Sequence, residues 1–202
     1  MRPRGLTLID LLVIALLIAL VCALIIPVLG AARESSRRTQ CANTLNAISK
    51  CMFMYADVPA NAVFPTRGTA ADRFADPKPM AALGLLYNHY VADTRGFSCP
   101  SHPVDPAVLA AMKPGEPVVS SYAYDPGHSP KDNPGTVFLG DMKGAGPNSD
   151  NHGKNAGQNI VTIAGTVDWS PTPEQPSPNG KQDHIFILDS EIERYQDAFI
   201  RQ

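Results

Sequence analysis

The chain has no surplus of positive charge: 17 lysines and arginines stand against 19 aspartates and glutamates, a net charge of −2 over 202 residues. Nucleic acids are bound through basic faces, so this balance excludes a nucleic-acid-binding module. The Gly-x-Ser-x-Gly elbow of serine hydrolases is also missing, and serines, histidines and aspartates are scattered, as in almost any chain. No enzyme and no cofactor are therefore expected. An Asp-x-Asp-x-Asp-Gly loop is absent too. That leaves Asp141, Asn148, Asp150 and Asp168 as weak calcium candidates among ordinary turn residues. Cys99-Pro100-Ser101-His102, with His128 and His152, offers thiolate and imidazole but no second matching pair, so no metal site is expected there. The single tryptophan, Trp169, reads as core or sheet edge, and His152 before Gly153 as a polar loop residue.

What the chain does have is a long apolar run. Residues 11–29 are 19 consecutive apolar positions without a charge. As a helix they would extend about 28 Å, close to the ~30 Å hydrocarbon core of a bilayer. A secretory signal has an apolar region of only roughly 7–15 residues, although Gly30-Ala31-Ala32 supplies small residues where a signal peptidase could cut. A buried core helix is a poor fit to a wholly apolar circumference. A plain signal anchor is the third competing reading.

The flanks separate that reading from a more specific one. Met1-Arg2-Pro3-Arg4-Gly5 is a short basic leader ending in glycine, followed by Leu6-Thr7-Leu8-Ile9-Asp10. A carboxylate at the lip of a membrane helix is costly and calls for a charge partner. Cutting after Gly5 would create one, the α-ammonium of Leu6, four residues before Asp10, from the same chain or a neighbour. Pro27 removes one helical backbone bond and bends the axis.

Gly5-Leu6-Thr7-Leu8-Ile9-Asp10-Leu11-Leu12, with Pro27 at its spacing from the cut, resembles the cleavage and N-methylation signature of type IV prepilins and type II secretion pseudopilins. The resemblance implies removal of residues 1–5 by a prepilin peptidase, methylation of Leu6, Asp10 as the assembly charge facing a neighbour's terminus, and Pro27 as the helix kink. This chain carries Leu6 where the family usually has Phe, and Asp10, one methylene shorter, where it has Glu. Further segments resemble a planctomycete and verrucomicrobial subset. They are Arg37-Arg38-Thr39-Gln40-Cys41-Ala42-Asn43-Thr44-Leu45, Met54-Tyr55-Ala56-Asp57, Phe64-Pro65 and the Cys-Pro-Ser turn Phe97-Ser98-Cys99-Pro100-Ser101. A glycine-rich His-to-Gly block completes the set: Asn148-Ser149-Asp150-Asn151-His152-Gly153, Gly157-Gln158-Asn159-Ile160-Val161 and Gly165-Thr166-Val167-Asp168-Trp169. Ala164 stands where that block normally has Asp.

Past the apolar layer, marked by Arg33, Arg37 and Arg38, the residues Cys41, Leu45, Ile48, Met52 and Tyr55 recur at helical spacing as one stripe suited to packing under a sheet. Pro59, Pro65 and Gly68 end the helix. Helices are expected over residues 80–91 and 104–112, and strands over 118–124, 136–139, 160–163, 166–169 and 184–188. Ala164-Gly165 suits a tight hairpin. Residues 171–180 read as a proline-rich loop, and 190–202 as a terminal helix with Ser190 and Glu193 forming a capping box. Cys22 lies inside the membrane run. Cys41 and Cys51, ten residues apart on one helix, are about 15 Å from each other and cannot bond together. A disulfide would therefore join Cys99 to Cys41 or Cys51, with Cys41 favoured because it lies on the stripe itself.

The expected fold class is α+β: a long N-terminal helix on a small antiparallel sheet. Its parts are a leader (1–5), a transmembrane half (6–32), an amphipathic half (33–57) and a globular domain (58–202). The expected function is a structural subunit of a type IV pilus or a type II secretion filament. Its partners are like subunits, a prepilin peptidase, the inner-membrane assembly platform and the membrane, crossed once with the N-terminus cytoplasmic and the globular domain outside. The alternative is a membrane-anchored exported binding domain that uses the same anchor without polymerising.

Overall fold

The computed structural model describes residues 8–59, 61–69, 72–76, 78–176, 180–188, 197, 200 and 201. Its first element, α1, is Leu8–Asp57. The chain divides into two compact units, Met1–Ser36 and Arg37–Gln202.

In the first unit the large apolar side chains from Leu8 to Leu29 are exposed throughout; Leu20 is 59% and Leu24 67% accessible. Helical pairing satisfies the backbone inside the segment, which is what a bilayer demands of any spanning chain. This helix is long and apolar enough to cross a membrane. Gly5 and Leu6 lie outside the described residues, as does the side chain of Pro27, whose backbone continues the helix.

In the second unit the helix behaves differently. Cys41, Leu45, Ile48 and Met52 are at most 1% exposed, and Ala56 completes the stripe, with Tyr55 half-buried beside it. Above them lies a four-stranded antiparallel sheet in the order β1-β2-β3-β4, formed by β1 (Tyr122–Tyr124), β2 (Val137–Asp141), β3 (Gln158–Thr162) and β4 (Val167–Ser170). Because strand side chains alternate, one face presents Tyr122, Tyr124, Leu139 and Val161 to the helix-side core. The other presents Ala123, Val137 and Ile160 to Ile185, Phe186 and Ile200 from the C-terminal segment. A register shift between Val137 and Leu139 lets Phe138 join Leu139 in the helix-side core, where its ring stacks on Phe64 at 4.7 Å. Burial of such side chains contributes about 1.5–3 kcal/mol each. The sheet is thus packed on both faces.

The β3–β4 connection is the expected hairpin. Gly165 N–H donates to the Thr162 carbonyl at 2.8 Å and Thr162 N–H to Thr166 at 3.1 Å. Gly165 has φ +81°, the left-handed conformation that closes a three-residue loop of this kind.

Several expected elements are shorter than their sequence patterns. The helix expected over 80–91 is α2 (Pro79–Leu83) with a 3-10 turn, Gly84–Leu86; Asn88, at φ +70°, then turns the chain. The helix expected over 104–112 is α3 (Pro106–Ala111), with Asp105 accepting from Ala107 N–H at its N-cap. Residues 118–121 are not strand, because Val118 N–H bonds to Met80 and Ser121 N–H to Phe97, outside the sheet. The proline-rich loop contains β5 (Glu174–Pro176), paired with β6 (Gln182–His184). The strand expected over 184–188 ends at His184, where Ile187 N–H closes a turn onto the His184 carbonyl. The terminal helix falls mostly outside the described residues, but Arg201, where helix was expected, bridges Tyr124.

Candidate functional site

The helix-side face of the sheet ends in polar residues where β2 and β3 meet the loop carrying His152. Asp141 closes β2, Asn159 is the second residue of β3 and Trp169 pairs with Asn159 from β4. Gly157, just before β3, sits at φ +124°, where an added Cβ would lie 2.5 Å from the Ser170 carbonyl oxygen, so only glycine admits this approach. The loop then returns Asn151 and His152 beneath the sheet.

Asp141 is fully buried. Its Oδ1 accepts from Asn151 Nδ2 at 3.1 Å, and its Oδ2 from Asn159 N–H at 2.7 Å and Asn159 Nδ2 at 3.0 Å. Asn151 also donates to the Ser121 carbonyl at 2.7 Å. Buried carboxylates are tolerated when satisfied in this way and cost several kcal/mol when they are not. Burial, reinforced by the Asp141 charge, pushes the Tyr122 phenol well up. His152 Nε2 lies 3.4 Å from Asp141 Oδ2, 3.1 Å from Asn159 Nδ2 and 3.7 Å from Cys99 Sγ.

Cys99 leads the Cys-Pro-Ser turn, closed by His102 N–H donating to the Cys99 carbonyl. It is bonded to Cys41 of α1, their Cα atoms 5.5 Å apart, which ties turn to helix across 58 residues. Cys51 is half-buried, its thiol donates to the Tyr90 carbonyl at 3.4 Å, and burial raises its pKa. Nearby, the Arg38 guanidinium lies over the Trp169 ring at 4.3 Å, a second link from helix to sheet.

A cysteine, a histidine and an aspartate in one cluster invite a nucleophile–base–orienter reading, but the geometry opposes it. In such a relay the two partners use different ring nitrogens. Here sulfur and carboxylate both face Nε2, and the whole group is buried. The cluster is built to brace helix, turn and sheet.

A second buried polar group lies elsewhere in this unit. His128 stands between Asp125 (Nε2 to Oδ2, 3.0 Å) and Asp132 (Nδ1 to Oδ2, 3.3 Å). Arg73 holds Asp132 through two 2.9 Å bonds, and Ser129 adds its N–H and hydroxyl. Burial alone would raise Asp132, but the bonds from His128, Arg73 and Ser129 outweigh it and hold the carboxyl well below the usual range.

The histidines and cysteine considered for zinc are therefore divided. His102 is exposed, His128 belongs to the second cluster, and only His152 reaches Cys99. The calcium candidates are divided as well. Asp150 accepts from Ala145 and Asn155 N–H in its loop, and Asp168, opposite Ile160, is exposed on the sheet face away from Asp141. Sequence reasoning missed Asn151, Asn159 and the involvement of Cys41 with His152, because no local spacing joins residues so far apart in the chain. No protein family, no curated protein and no solved structure matches this chain.

Proposed function

We propose that the chain is a structural subunit of a type IV pilus or type II secretion filament, cut after Gly5 by a prepilin peptidase, N-methylated on Leu6 and anchored by its first helix before assembly. The observation that carries this reading is the contrast within α1. The large side chains of the apolar run, residues 11–29, are exposed, while the stripe from Cys41 to Ala56 is sealed beneath a small antiparallel sheet. A spanning segment that also begins the folded domain suits a subunit that waits in a membrane and then packs its apolar half against like helices. The prepilin-like residues Gly5, Leu6 and Asp10 supply the processing and charge-pairing chemistry.

Expression with an epitope tag in a host bearing an assembly system, followed by shearing, tests it. The processed chain is expected in the sheared filaments. Asp10→Ala is expected to insert and be cut, yet be lost from filaments, whereas Asp10→Glu is tolerated because its reach is longer. Processed chain that stays wholly in the membrane fraction supports the alternative, an anchored binding domain. Wild-type incorporation of Asp10→Ala refutes the charge-pairing account.

A further inference from the structure

Cys41 Sγ, Cys99 Sγ and His152 Nε2 are the one group of three or more His, Cys, Asp or Glu donors, among the described residues, whose ligand atoms all lie within 4.8 Å of one another, and all three residues are buried. We propose that, with the two cysteines reduced, this cluster binds one zinc-class divalent ion through those three atoms. The ligand set is soft and mixed, two thiolates and an imidazole, which is the chemistry zinc selects. The separation fits as well. Zn–S and Zn–N bonds of about 2.3 and 2.0–2.1 Å place the two ligand atoms about 3.6 Å apart in a tetrahedral site, against the 3.7 Å between Cys99 Sγ and His152 Nε2. The cysteine Cα atoms, 5.5 Å apart, lie within reach of one ion once rotation of the thiols parts the sulfurs.

The hydrogen-bond network assigns the nitrogen its ligand form. Asn159 Nδ2 lies 3.1 Å from Nε2 and 3.0 Å from Asp141 Oδ2. Turning that amide over would set its oxygen against the carboxylate, so Asn159 stays in place as the donor and Nε2, accepting from it, is unprotonated, the form of the ring that binds metal. Asp141 Oδ2, 3.4 Å from the same nitrogen, adds a negative oxygen on that side. An acceptor nitrogen and two sulfurs thus converge, with the carboxylate beside the nitrogen.

The structure has the same two sulfurs joined as a disulfide. The two states exclude each other and interconvert by thiol–disulfide exchange. A protein or small-molecule disulfide accepts two electrons, and two protons from water, to become a dithiol; the Cys41 and Cys99 thiolates lose those electrons and form the S–S bond, and the ion leaves. Metal therefore holds the correct thiol pair together before oxidation and delays its closure.

The test uses the full chain in detergent, reduced with a non-chelating phosphine and titrated with cobalt(II). One equivalent is expected to give a thiolate-to-cobalt charge-transfer band and tetrahedral d–d bands, both abolished by zinc. His152→Ala should weaken binding at least about 10-fold, Cys51→Ser should leave it unchanged, and the oxidised chain should bind none. Zinc-edge X-ray absorption on the wild-type chain, which needs no variant, should find two sulfurs and at least one nitrogen. Absence of the cobalt bands, an unchanged titration in the Cys41→Ser/Cys99→Ser variant, or an all-nitrogen and oxygen shell overturns the proposal.

Discussion

Residues 11–29 and the stripe from Cys41 to Ala56 belong to one helix, yet they solve opposite problems. The first stretch is apolar around its whole circumference and leaves Leu16, Leu20 and Leu24 more than half exposed. The second buries one stripe, Cys41, Leu45, Ile48, Met52 and Ala56, to within 7%, while Met54 beside it is 60% exposed. A helix that is hydrophobic all round needs an apolar solvent, whereas one with a single stripe needs a partner surface in water. Chemistry around the circumference, more than total hydrophobicity, sets each half's destination. In the second half, a sheet, a disulfide and a buried polar brace hold the helix in place.

The largest expected effect breaks the fastening of the second half. The Cys41–Cys99 bond closes a loop of 58 residues, which by chain entropy contributes about 4 kcal/mol. Cys41→Ser should lower the oxidised chain's stability to denaturant by about that amount, and Cys51→Ser should change it little. Non-reducing peptide mapping should recover a Cys41–Cys99 peptide, and three free thiols outside the apolar run would contradict the pairing.

A matched pair of substitutions sharpens the comparison itself. Leu45→Ala removes a fully buried side chain and should cost the folded unit about 3 kcal/mol, with membrane insertion unchanged. Leu20→Arg places a charge mid-way along the apolar run and should cost about 3 kcal/mol of insertion, while leaving the unit from Arg37 onward equally stable. Denaturation curves and membrane fractionation of both variants check this. A loss of fold stability in Leu20→Arg would mean that the two halves are not separate problems.

Much of this division was legible in residues. The spacing of Cys41, Leu45, Ile48 and Met52 identifies the buried stripe because helical geometry is local, and Ala164-Gly165 marks a hairpin for the same reason. Residues 118–121 read as strand from their composition, but the Val118 and Ser121 N–H groups are taken by Met80 and Phe97, distant partners that no local pattern reveals. The strand expected over 184–188 ends at once because Ile185 and Phe186 pack on the back of the sheet. Candidate ligands fared similarly: His102 sits three residues from Cys99 yet is exposed, while His152, 53 residues away, meets its sulfur.

The smallest expected effect concerns the second polar cluster. The folded Asp132 carboxyl titrates below its unfolded value of about 3.9, so its contribution is present above that pH and is lost as pH falls through the depressed folded value. Asp132→Asn should cost about 2 kcal/mol at pH 7 and flatten the decline of stability toward pH 3. Urea denaturation at the two pH values measures it, and an acid dependence identical to wild type would remove Asp132 from the account.

The central claim is that the apolar half of α1 is a processed, filament-forming helix, and its N-terminus tests this most directly. N-terminal sequencing and intact mass of the membrane-associated chain should find it starting at Leu6, one methyl heavier than the unmodified sequence. A chain starting at Met1 would reduce the segment to a plain anchor. One starting near Arg33 would make it a cleaved secretory signal, and either result would contradict the account.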